Sequence, residues 1–148
     1  MSLTERIEKD FILAYKNKET QKVAVLRMLK AALKNKQIEL GTGLSDAEAM
    51  DVLIREVKQR KESVRQYTQA GRHDLSESES REIAIIESYL PAALSREEMK
   101  TIAAETIQEL GVSDMSGMGR VMKAINHKFP GRVDGRELSS LVRELLSP

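Results

Sequence analysis

Few side chains in this 148-residue sequence have the types and spacing to do chemistry. A nucleophilic triad needs a Ser or Cys beside a His that a carboxylate orients. The chain has no Cys, and its two histidines stand apart: His73 in a polar turn, His127 near a helix end, neither beside a Ser in a strained elbow. Two isolated histidines without a His-Glu-x-x-His spacing do not assemble a zinc site. The acids are numerous, but they fall mainly in first helical turns or on polar faces, where dipole compensation and solvation account for them. These observations predict no catalytic residue, no cofactor and no metal.

Two glycine clusters invite a phosphate reading. Ser113-Asp114-Met115-Ser116-Gly117-Met118-Gly119-Arg120 opens a helical pattern, and helix N-termini attract anions. No strand precedes it, so neither a P-loop nor a dinucleotide fingerprint is met. The structural reading is preferred: Asp114 or Ser116 caps the helix, while Gly117 and Gly119 permit close packing. Pro130-Gly131-Arg132-Val133-Asp134-Gly135 reads as a tight connection.

Cations carry the stronger signal. Arg27, Lys30 and Lys34 recur at i, i+3, i+7. Lys58, Lys61, Arg65 and Arg72 follow along the next pattern, Arg120, Lys123 and His127 along a later one, and Arg136 and Arg143 share a side of the last. Such spacing aligns positive charge along a helix, which suits a phosphate backbone. The competing reading is a solvated face whose Lys stems cover core. Candidate phosphate contacts, chosen on charge and spacing, are Arg27, Lys30, Lys58, Lys61, Arg65, Arg120, Lys123, Arg132 and Arg136. Only five aromatics occur (Phe11, Tyr15, Tyr67, Tyr89, Phe129). Base-by-base reading of a single strand is therefore not expected, and structured RNA recognised by shape and phosphates suits these residues better.

The elements that must position these cations are legible from their ends. Ser2-Leu3-Thr4-Glu5, Ser45-Asp46-Ala47-Glu48 and Ser95-Arg96-Glu97-Glu98 are capping boxes, and Asp134-Gly135-Arg136-Glu137 is a close variant. Gly41, Gly71 and Gly111 close long helical patterns, and Pro91 stops another. The predicted fold is all-α, with helices near 3–17, 20–40, 46–70, 76–90, 96–110, 115–128 and 135–146. Apolar residues line each at helical spacing, such as Leu26, Leu29 and Leu33 in the second, or Leu138, Leu141, Val142 and Leu145 in the last. The expected organisation is an N-terminal helical domain, 1–91, and a C-terminal three-helix bundle, 92–148, divided where Pro91 precedes a fresh capping box.

Composition sets the limits. Hydrophobic residues make up 41% and charged residues 32%, and the scarcity of aromatics requires an aliphatic core. The net charge of +1 is unevenly spread. Residues 1–43 carry nine Lys or Arg against five Asp or Glu, while residues 73–111 carry three against nine, so local fields outweigh the total in steering a partner. Arg6, Glu8, Lys9 and Asp10 interrupt any apolar run near the start, and no stretch approaches the ~20 apolar residues of a membrane span. A cytoplasmic protein with no membrane partner is expected.

Several runs resemble the GatB/YqeY family. They include Val25-Leu26-Arg27-Met28-Leu29-Lys30-Ala31-Ala32-Leu33-Lys34-Asn35 and Ile54-Arg55-Glu56-Val57-Lys58-Gln59-Arg60-Lys61-Glu62-Ser63, with Tyr67, Ala70-Gly71-Arg72 and Asp74-Leu75. Glu82-Ile83 and Tyr89-Leu90-Pro91 continue the likeness. So do Met118-Gly119-Arg120-Val121-Met122-Lys123-Ala124, Gly131-Arg132-Val133-Asp134-Gly135-Arg136 and Leu141-Val142-Arg143-Glu144-Leu145-Leu146. Val133 stands where relatives often have Ala. The resemblance implies an all-α module of the kind that forms the tail of the B subunit of glutamine-dependent aspartyl/glutamyl-tRNA amidotransferase. There the tail helps hold the tRNA, and the chemistry lies in other domains. A carbon–nitrogen ligase with glutamine as amido-N-donor would thus describe relatives. The function expected is a non-catalytic tRNA-binding-like module, with tRNA or other structured RNA as partner, beside an amidotransferase or another tRNA-handling enzyme. The alternatives are a protein-interaction adaptor and an accessory with ligase activity.

Overall fold

The computed structural model describes residues 1–147 and is all-α, with no strand among those residues. The helices are α1 (Leu3–Lys16), α2 (Thr20–Leu40), α3 (Asp46–Gln69), α4 (His73–Glu87), α5 (Arg96–Leu110), α6 (Met118–Lys128) and α7 (Gly135–Leu146). A 3-10 turn, Met115–Gly117, precedes α6. The chain forms two compact units, Met1–Leu90 and Pro91–Pro148.

Local chemistry sets the helix ends. Ser2, Ser45 and Ser95 each accept the backbone N–H of the Glu three residues on, and that Glu returns the bond to the serine's own N–H. These reciprocal pairs satisfy donors that an α-helix leaves open. Asp134 forms the accepting half of the same motif on Glu137, at 3.0 Å. Gly41 and Gly111 close α2 and α5 in the left-handed region, at φ 74° and 65°, where a Cβ is disfavoured. Two starts differ from those read in the sequence. α4 begins at His73, directly after the turn at Gly71, with Arg72 bonded to Asp74 in its first turn. The segment before α6 is a tight turn because the Asp114 carboxylate accepts the Ser116 N–H at 2.9 Å and holds its hydroxyl as well.

The first unit closes around Ile7, Leu26, Leu29, Leu33, Leu53 and Ile86, all essentially without solvent exposure. The backbone N–H of Leu3 donates to Asp46 at 3.0 Å, joining the start of α1 to that of α3. Beyond α4, the Tyr89 hydroxyl donates to Asp10 of α1 at 2.5 Å, with the Arg6 guanidinium 5.3 Å from the ring centre. Burial first, then the Asp10 carboxylate, pushes the Tyr89 hydroxyl far above the usual tyrosine range.

The second unit packs Met99, Ala103, Val121, Ile125, Leu138, Leu141 and Val142 together. At the end of α7 it is Leu146 that is buried, and Leu145 is exposed. Of the two glycines thought to permit close packing, Gly117 does so: a Cβ there would stand 2.4 Å from a Val112 methyl. Around Gly119 nothing lies that near.

Gly117→Ala should cost the second unit about 1–3 kcal/mol by overpacking, and Gly117→Ala with Val112→Ala less than the sum of the two singles, read by urea unfolding. For Tyr89→Phe the expected loss at neutral pH is about 1–2 kcal/mol. In the wild type the unfolded chain releases the Tyr89 proton near pH ~10 while the folded chain keeps it. Stability from this group is therefore complete below that pH and declines as pH rises above it. Urea midpoints at pH 7 and pH 11 should differ less in Tyr89→Phe than in wild type.

Candidate nucleic-acid interface

The nine candidate cations separate by what their side chains touch. Lys61 reaches Glu87 of α4 at 3.8 Å, and Arg65 is held by Glu62 on its own helix. That bond, then the carboxylate's charge, pushes the Arg65 guanidinium further up. Arg132 is committed to the fold. Its Nε donates to the Ala92 carbonyl at 2.8 Å, its own carbonyl accepts the Leu94 N–H at 2.7 Å, and its guanidinium lies 5.8 Å from the Phe129 ring centre. Arg132 thus ties the segment before α5 to the connection before α7.

Among the described residues the other six have no carboxylate in ion-pair range: Arg27, Lys30, Lys58, Arg120, Lys123 and Arg136. Arg27 and Lys30 sit on α2 over the Phe11 ring, at 5.6 and 4.4 Å from its centre. Lys30 and Lys34 line a shallow groove with Thr4 and Glu8 of α1 and Gln37 of α2. Lys58 is exposed on α3, and Arg120 and Lys123 are exposed on α6. Arg136 and Arg143 line a second groove along α7 with Ser139, Ser140, Glu144 and Ser147. Two guanidinium groups beside hydroxyl donors suit phosphate oxygens.

The sequence pattern did not bring Phe11 and Tyr15 into this picture. They lie one turn apart on α1, ring centres 6.4 Å apart. Their i, i+4 spacing was the available signal. The acids find local explanations. Arg60 bonds Glu56 at 2.8 Å, and burial followed by the charge of Glu79 raises the Glu82 carboxyl where α4 packs on α3. Among the described residues no group of three or more His, Cys, Asp or Glu is arranged to hold a metal ion. No described helix is long and apolar enough to cross a membrane.

Fold and surface together define a class: an all-α protein of two helical units that presents unpaired cations along its helices. Residues 4–146 match the family described as Yqey-like protein, and the chain belongs to that family. Among its relatives is "Altered inheritance of mitochondria protein 41, mitochondrial" of Clavispora lusitaniae, 33% identical over 84% of this chain and 75% of that protein. The proteins of the same name from Kluyveromyces lactis and Lachancea thermotolerans are 31% and 32% identical over 74% of this chain. The match covers 61% and 60% of those two proteins, under two thirds of their length.

These names correct the cytoplasmic expectation, since the relatives are mitochondrial proteins. That expectation rested on the lack of a long apolar run, which does not distinguish one aqueous compartment from another.

Arg132→Ala should lower the stability of the second unit by about 1–2 kcal/mol. Arg120→Ala and Lys123→Ala should each change it by less than about 0.5 kcal/mol. Urea unfolding of the three variants separates the structural cation from the two exposed ones.

Proposed function

We propose that this protein is a non-catalytic module that binds tRNA or another structured RNA through its phosphates, acting beside an amidotransferase or another tRNA-handling enzyme. The observation that carries the proposal is the set of six cations left without carboxylate partners: Arg27, Lys30, Lys58, Arg120, Lys123 and Arg136. A guanidinium or ammonium already held by a carboxylate gives up that pairing to meet a phosphate, whereas an unpaired one gives up only water and counterions. The seryl hydroxyls beside Arg136 add neutral donors of the kind that contact sugar–phosphate backbones. The family's kinship with the amidotransferase tail, which helps hold tRNA, supports the same reading. The mitochondrial names of the relatives support a mitochondrial setting for it.

A second reading, a protein-interaction adaptor, draws on the exposed Ile12, Leu13, Ile38 and Leu40 of the first unit. It differs from the first in its response to salt, because apolar docking is not weakened by added counterions.

Filter binding of bulk tRNA across a salt series tests the proposal. Affinity should fall steeply with salt, and Arg27→Ala, Lys123→Ala or Arg136→Ala should each weaken binding and reduce the logarithmic salt slope by about one. Lys61→Ala and Arg65→Ala should change the slope less. Absent binding at low ionic strength, or binding indifferent to salt, contradicts the proposal.

A further inference from the structure

Arg27 and Lys30 are not simply free cations. Both rest on the ring of Phe11, and Phe11 lies against Tyr15 with the two planes inclined by 34°. Phe11 is half-buried, while Tyr15 is 65% exposed. Two of the five aromatics of the chain are thus gathered at one place, and one of them turns most of its surface to solvent. Tyr15 has no hydrogen-bond partner for its hydroxyl and contacts no other ring among the described residues, so the fold gives it no other task.

Cations outnumber acids in the chain after it: Lys16 and Lys18 come before the exposed Glu19. Both lysines are exposed, and the chain turns back after Tyr15 so that the Lys18 N–H donates to the Tyr15 carbonyl at 3.2 Å. Asp10 is engaged by Tyr89. Glu8 stands seven residues before Tyr15, about 10 Å along the helix. An exposed ring beside Phe11, which carries Arg27 and Lys30 on its face, with Lys16 and Lys18 close by in the chain, is a combination that can receive an unpaired base on the ring and its phosphates on the cations.

An apolar partner helix or a lipid surface fits less well. Ile12 and Leu13 are adjacent and exposed, but Lys9 and Lys16 stand within a turn of them and limit the apolar surface to that small spot.

We infer that Tyr15, supported by Phe11 and flanked by Lys16, Lys18, Arg27 and Lys30, is a stacking platform for an unpaired nucleotide of a structured RNA. The inference rests on the RNA-binding proposal and deepens it by adding a base contact to the phosphate contacts. It gives the protein a preference for RNA with a single-stranded end or a bulged base over an uninterrupted duplex.

The test uses the full chain at low salt and two RNA duplexes of equal phosphate number, one blunt and one with a 3′ single-stranded overhang carrying 2-aminopurine. Wild type and Tyr15→Phe should bind the overhang at least about fivefold more tightly than the blunt duplex and quench the 2-aminopurine fluorescence. Tyr15→Leu, which keeps bulk but loses the aromatic face, should reduce the overhang's affinity to that of the blunt duplex and leave the fluorophore bright. Equal binding of both duplexes by all three proteins overturns the platform and leaves RNA binding standing. Failure to bind either duplex overturns both. Loss of binding to anionic vesicles in Tyr15→Leu, with RNA binding unchanged, assigns the ring to lipid and also overturns the inference.

Discussion

With so few aromatics, each unit of this protein has to hold itself together by burying small aliphatic side chains completely. In the first, Leu26, Leu29, Leu53 and Ile86 lose essentially all contact with water, and in the second Val121, Ile125, Leu138 and Leu141 do the same. Burial of this kind is non-directional, so on its own it leaves helix ends and helix order loosely specified. The capping serines and the single long-range polar ties supply the missing direction. Asp46 at the head of α1, Asp10 on Tyr89, and Arg132 on the Ala92 carbonyl each fix one junction. Because the buried stripes are narrow, most of every helix is left to carry charge.

That surplus charge falls into paired and unpaired cations. Where a carboxylate stands one turn away or on the packed neighbour, the cation is satisfied, as with Arg60 and Glu56 or Lys61 and Glu87. Exposed pairs of this sort add little stability, but they neutralise the surface that they occupy. Where none is in reach, the positive field stays available to a polyanion. Arg27 and Lys30 on α2, Lys58 on α3, Arg120 and Lys123 on α6, and Arg136 on α7 are of that second kind. Such a surface needs no reactive group to meet the phosphates of the proposed polyanionic partner.

The features most legible in the sequence were those set by neighbours in the chain. Ser2, Ser45 and Ser95 announced three helix starts because the capping bond closes within four residues, and Gly41 and Gly111 announced two ends for the same reason. The all-α architecture followed from apolar periodicity. Legibility failed where the deciding partner is distant or competes locally. The engagement of Arg132 by Ala92 spans forty positions, and Asp114 draws the chain before α6 into a 3-10 turn that periodicity does not register. At the end of α7, spacing favoured Leu145, but the buried residue is Leu146. For the interface, charge and spacing located every cation but not its partner, so Lys61, Arg65 and Arg132 looked equivalent to Arg120 and Lys123. The pairing of Phe11 with Tyr15 under the α2 cations is a tertiary fact that one-helix reasoning leaves out. The compartment was not legible at all.

The central claim is that the unpaired cations form the binding surface, and amide chemical-shift mapping tests it most directly. The isotope-labelled full chain would be titrated with bulk tRNA at low salt and then returned to high salt. The account predicts salt-reversible shifts on α2, on α6 and on the exposed side of α7, with the acidic side of α5 unchanged. Shifts confined to the exposed apolar positions Ile12, Leu13, Ile38 and Leu40 and insensitive to salt, or no shifts at all, would contradict it.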